Sequence, residues 1–158
     1  MDRDIENVLQ CLSMARTRLE EYDSYPWQVE LEIRVSDLNY GGHLAYDRLF
    51  GLVHEARIRF LEELGVTEMD LGDGKTGLVV ADACAVYLGE GRMGDVLVIK
   101  TRPVDVTGGS FRLAHRISKK NGDKVALVET GCAAFDYINR RPTRLPPSLS
   151  VKLNGYNE

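Results

Sequence analysis

The stretch that most restricts the fold is residues 44–64. Leu49, Leu52, Val53, Ala56, Phe60 and Leu64 recur at three- and four-residue spacing, and Phe50, Ile58 and Leu61 widen the stripe. A helix apolar over so much of its circumference must be enclosed on several sides. Gly65 supplies a natural stop. The second half of the chain offers the cover. Strand-like runs at residues 77–88, 95–106, 110–118 and 124–137 follow one another, separated by Gly89, Glu90 and Gly91, by Gly108 and Gly109, and by Asn121 and Gly122. Short glycine turns make hairpins, and consecutive hairpins make an antiparallel sheet. An antiparallel sheet folded against one long helix is the α+β class. Pro103 predicts a bulge or an edge within the second of these strands.

Ahead of the helix, residues 28–35 alternate. Val29, Leu31, Ile33 and Val35 face one way and Gln28, Glu30, Glu32 and Arg34 the other, the pattern of a half-buried strand. Residues 36–42 break it with Asp37, Asn39, Gly41 and Gly42, which is turn chemistry. Earlier still, Ile5, Val8, Leu9, Leu12, Ala15 and Leu19 predict an amphipathic helix over residues 4–21, ended before Pro26. The chain therefore divides into an N-terminal helical extension (1–26), one domain (27–147) and a C-terminal tail (148–158).

Composition narrows the function. A formal charge of −4 argues against a general nucleic-acid binder. The acidic, polar start is unlike a signal peptide, and no apolar run approaches the roughly 20 residues of a membrane span. Cys84 and Cys132 sit in apolar strand-like runs and Cys11 in the helical N-terminal pattern, which reads as buried free thiols in a reducing compartment. A cytoplasmic protein is expected.

Residues 34–65 concentrate the reactive groups: two of the three histidines, His43 and His54, with Asp37 and Glu55. Asp37 ends a strand just before a helix N-terminus, where a carboxylate can act as base or nucleophile, or serve only as a turn or cap residue. Gly41 and Gly42 let backbone approach a ligand. Helix-start amides carry the positive end of the dipole, so those in the span 42–45 are the expected oxyanion site, with Tyr40, Leu44, Ala45 and Tyr46 beside them. Asn39 is a turn-former that also suits orienting Asp37 or a water, and His43 suits a hydrogen bond to the ligand or to Asp37. Glu55 is a second carboxylate, or a partner of Arg59 at i+4 spacing. His54 and His115 lack metal-ligand spacing, so no metal site is expected.

The strand, the run Asp37, Leu38, Asn39 followed by His43, the enclosed helix carrying Glu55, Ala56 and Arg57, and the four-stranded meander resemble the hot-dog fold thioesterase superfamily, in its 4-hydroxybenzoyl-CoA thioesterase-like branch. The resemblance covers roughly residues 27–147. It implies a curved antiparallel sheet wrapped around the central helix, and hydrolysis of an acyl-CoA or acyl-carrier thioester to acid and thiol. It places Asp37 on the family's catalytic aspartate position, and keeps Glu55 as a rival because related enzymes use an acid on the helix. It implies no cofactor beyond coenzyme A as part of the substrate, and an acyl channel at a subunit interface. A free strand edge in such a fold adds the expectation of a homodimer or homotetramer. Arg112, Arg116, Lys119 and Lys120 are a candidate phosphate patch. The alternatives are an enoyl-thioester hydratase of the same fold, disfavoured by the missing proline after Asn39, and a non-catalytic acyl-thioester-binding module.

Overall fold

The computed structural model describes residues 16–157. In chain order these form β1 (Trp27–Glu32), a 3-10 turn (Val35–Asp37), α1 (Tyr46–Glu63), β2 (Thr76–Tyr87), β3 (Val96–Val104), β4 (Ser110–Lys119), β5 (Lys124–Asp136), β6 (Arg141–Pro142) and α2 (Pro147–Gly155). The main strands make one sheet in the order β1-β3-β4-β5-β2, with every pairing antiparallel. β6 adds to β5 beyond the end of β4. The pairing of β1 with β3 ends at Thr101, so Pro103 lies on a locally free edge where no amide is needed.

The helix is enclosed as its stripe requires. Leu49, Leu52, Val53, Ala56, Phe60 and Leu61 are buried against Leu97, Ile99, Phe111, Leu113 and Ile117 of the sheet and Ile33 just beyond β1. Each such side chain contributes on the order of 1.5–3 kcal/mol by leaving water. The stripe is narrower than its sequence: Ile58 is on the exposed side. Val35, expected to face inward from a strand, is 73% exposed, because the chain leaves the strand after Glu32 and coils into the 3-10 turn.

Two further expectations are corrected. The expected tail over residues 148–158 is a packed helix for most of its described length. Pro147 opens α2 at a first-turn position that tolerates proline. Leu149 and Leu153 are fully buried in the same cluster as Phe60 and Leu61. The proline-rich run before it is the approach to a helix rather than the end of structure.

The N-terminal helix fails where it can be seen. Residues 16–21 carry no helix, and residues 4–15 lie outside the described part. Residues 21–25 instead run as a strap over the outer face of the sheet. Arg102 lies 5.5 Å from the Tyr22 ring centre and Arg116 lies 4.7 Å from that of Tyr25. Glu21 pairs with Lys124 at 2.8 Å and Arg116 at 3.4 Å. These contacts across many residues replace the local bonds a helix would have made.

The same face removes the phosphate patch. Arg112 is held by Glu129 and Asp82, Arg116 by Glu21, Lys119 by Asp95 and Lys120 by Glu30. Arg112 crosses β5 to reach Asp82 over Gly131, where a Cβ would strike both side chains.

Candidate active site

The 3-10 turn sets Asp37 at the mouth of α1. The Asp37 carbonyl accepts the Ala45 amide at 2.9 Å, so its backbone abuts the residue that caps the helix. The carboxylate is buried, with 6% of the residue exposed. Its Oδ2 accepts the Arg34 amide at 2.8 Å and lies 3.7 Å from Arg34 Nε. Its other oxygen has no partner among the described residues, so one half of the carboxylate is fixed and the other is available.

Asn39 builds the turn. Its Oδ1 accepts the amides of Gly41 at 3.0 Å and His43 at 3.1 Å, while its backbone exchanges bonds with His43 and Gly42. Gly42 has φ +78°, the left-handed region that favours glycine. Tyr40 stands fully exposed at the tip. His43 turns away from Asp37: its Nδ1 lies 3.2 Å from Glu90 Oε2, off the line of a hydrogen bond, and its backbone bridges Arg92. Sequence reasoning missed this cover from the β2–β3 loop. The signal was Gly91, whose missing Cβ makes room for Ile33 and Leu44.

The oxyanion expectation shifts along the chain. All four amides in the span 42–45 are already bonded: Gly42 to the Asn39 carbonyl, His43 to Asn39 Oδ1, Leu44 to the Gly91 carbonyl and Ala45 to the Asp37 carbonyl. The open donors are those of the first turn, Tyr46, Asp47 and Arg48. Helical geometry gives them no acceptor, and α1 has no side-chain cap.

A sequence model of the thioesterase-like superfamily matches residues 33–153. The chain belongs to that superfamily. A 1,4-dihydroxy-2-naphthoyl-CoA hydrolase from Synechococcus sp. (strain CC9605) is 27% identical over 136 residues, covering 80% of this chain and 89% of the relative. A 1,4-dihydroxy-2-naphthoyl-CoA thioesterase from Synechocystis superposes with a TM-score of 0.75 at 16% identity, covering 83% of this chain and 97% of that one. A thioesterase from Thermus thermophilus, solved with coenzyme A and Zn, gives 0.72 at 24% identity, covering 85% and 96%. The hot-dog architecture expected from the sequence stands with these neighbours, and so does its enzyme class: the chain is a thioester hydrolase of the acyl-CoA thioesterase kind.

The remaining groups of this thioesterase lie along α1. Glu55 is half-exposed and pairs with Arg59 at 2.5 Å, a contact worth only about 0.3–0.5 kcal/mol on a helix surface. Beneath the helix, Arg57 is buried and donates from Nε to Glu68 Oε1 at 2.7 Å. Glu68 Oε2 lies 3.2 Å from His54 Nε2. Burial pushes the Glu68 carboxyl up, but its bonds from Arg57 and His54 outweigh that and hold it below the usual range. His115 is fully enclosed on β4 with Nδ1 2.9 Å from Thr101 Oγ1. Burial first, and the Arg57 charge second, push its pKa down to about 3, so it is neutral at ordinary pH. Burial likewise pushes the Cys132 thiol up to about 11.

Among the described residues no group of three or more His, Cys, Asp or Glu side chains is placed to hold a metal ion, and no helix is long and apolar enough to cross a membrane. An open cavity of about 780 Å³ lies at the far end of α1, lined by Pro26, Glu63, Leu64, Gly65, Lys152, Gly155 and Tyr156. It shares no residue with the Asp37 turn.

Proposed function

We propose that Asp37 carries the hydrolysis of an acyl-CoA thioester whose carbonyl oxygen is held by the first-turn amides of α1. The observation that supports this is a buried carboxylate with one unpaired oxygen beside the uncapped amides of the helix start. Dipole and donors there favour the negative charge that develops on the oxygen during attack. Asp37 either takes a proton from water or attacks the carbonyl itself. Glu55, tied to Arg59, is the second carboxylate. Asn39 and His43 shape the turn rather than touch the reacting atoms, and Tyr40, Gly41, Gly42, Leu44, Ala45 and Tyr46 form the substrate's entrance.

The acyl part is an aromatic acid by similarity to the naphthoyl-CoA hydrolases. Arg48, in the first turn of α1, suits a coenzyme A phosphate, since the β4–β5 hairpin cations are already paired. The enzyme needs no cofactor of its own. β2, twelve residues long, is an unpaired outer edge with Val80 45% exposed, which favours pairing with a second copy as a homodimer or homotetramer. We place the protein in the cytoplasm, acting on a small-molecule thioester and not on nucleic acid.

The test is a thiol-release assay across an acyl-CoA panel. Release of thiol from an aryl-CoA supports the proposal. Absorbance loss from an enoyl-CoA without thiol marks a hydratase, and binding without either marks a non-catalytic module; both outcomes reject it.

A further inference from the structure

The exposed face of α1 carries Asp47, Gly51, His54, Glu55 and Ile58 at helical spacing. β2 is tied to the start of the helix and to the loop after it: the Tyr87 hydroxyl donates to the Tyr46 carbonyl at 3.1 Å, and the Leu78 amide donates to the Glu68 carbonyl beyond the helix end at 2.8 Å. Between these ties the helix-facing residues of β2 are small and apolar, and Val80 and Ala83 are exposed. Gly51 leaves open space where a Cβ would stand. This side of α1 is therefore open from the first-turn amides to His54.

One polar group on this side of the helix has a built support. The Glu68 carboxylate, fixed by buried Arg57, faces His54 Nε2. A carboxylate partner holds the neutral imidazole in the Nε2–H tautomer. Nδ1, which has no partner among the described residues, is then a fixed acceptor, on a side chain 50% exposed. About 9 Å of helix axis separate Arg48 from His54. Helical side chains lean toward the N-terminus, so His54 reaches back toward a group seated on the amides.

We propose that His54 is a specificity-determining residue: its Nδ1 accepts a hydrogen bond from a hydroxyl on the acyl group's ring, with Glu68 and Arg57 as its positioning residues. This rests on the proposed seating of the thioester carbonyl at the start of α1. An acyl group that covers the acceptor without offering a donor leaves it unpaired, and that penalty is what discriminates.

The test uses benzoyl-CoA and 4-hydroxybenzoyl-CoA, together with the benzyl and 4-hydroxybenzyl thioethers of coenzyme A, which cannot be hydrolysed. The unmodified enzyme is expected to favour the hydroxylated member roughly 10- to 100-fold, in kcat/KM for the thioesters and in Kd for the thioethers. His54→Phe should bring both ratios close to one, as the hydroxylated ligand loses and the plain ligand gains. Glu68→Gln should lower the ratios while leaving the imidazole in place, which a purely structural role for Glu68 would not do. A ratio in His54→Phe equal to that of the unmodified enzyme, or no preference in the unmodified enzyme, overturns the assignment. If neither thioester releases thiol, the hydrolytic reading fails on its own, and the thioether Kd ratios still decide the role of His54.

Discussion

The two ends of α1 are built in opposite ways. At its C-terminal end most of the backbone groups are paired. Gly65 takes the left-handed conformation with φ +76°, its amide returns to the Glu62 carbonyl, Val66 bonds the Leu61 carbonyl, and Lys152 Nζ donates to the Leu64 carbonyl at 2.7 Å. At its N-terminal end Ala45 caps without a side-chain bond and three amides stay open beside a half-bonded carboxylate. A cavity of about 780 Å³ lies at the C-terminal end. Pairing of the helix-end groups is what separates the two ends, and it is the ground for placing the proposed chemistry at the N-terminal one. The closed end commits its groups to the fold, and the open end leaves three amides unpaired.

The sharpest way to break this contrast is to remove one open amide. Tyr46→Pro deletes the N–H at a helix position that tolerates proline, after a residue, Ala45, already extended at φ −70° and ψ 143°. We expect kcat to fall about 10²- to 10³-fold with the thermal midpoint little changed, with Tyr46→Phe as the side-chain control. Unchanged kcat takes this amide out of the oxyanion set.

Between the ends sits His115, enclosed and neutral. Its folded pKa, about 3, is below the unfolded value near 6.5. The unfolded chain therefore binds the extra proton first, and stability falls as pH drops from about 6.5 toward 3, by up to a few kcal/mol. His115→Phe should flatten urea midpoints across that window; an unaltered pH slope would show that the burial of this group is not felt. At the closed end, Lys152→Met should cost about 1 kcal/mol of stability and leave kcat unchanged, as read by urea melts and turnover together. Glu55→Gln should be smallest, a loss of about 0.3–0.5 kcal/mol of stability with kcat near normal.

The fold was legible because its signals are periodic. The wide stripe of residues 44–64 demanded a sheet around it, and the glycine turns supplied one strand after another. α2 escaped notice because its buried pair, Leu149 and Leu153, is too short a pattern to outweigh the prolines before it. The strap escaped because its bonds, from Glu21 to Lys124 and from Tyr25 to Arg116, span about a hundred residues of chain, which no local pattern encodes. At the candidate site, the turn ahead of the helix and the position of Asp37 in it were legible. It misplaced the open amides by one turn position, because the bonds that occupy residues 42–45 depend on Gly91 and Asn39 Oδ1. It also passed over Glu68, an ordinary-looking loop acid until Arg57 and His54 are seen to meet on it.

The most direct test of the open end is thiol release by Asp37→Asn beside Glu55→Gln, on the best aryl-CoA substrate. Asp37→Asn is expected to lower kcat at least about a hundredfold while Glu55→Gln stays near the unmodified rate. Near-normal turnover in Asp37→Asn, with loss in Glu55→Gln, would contradict it and move the chemistry onto the face of the helix.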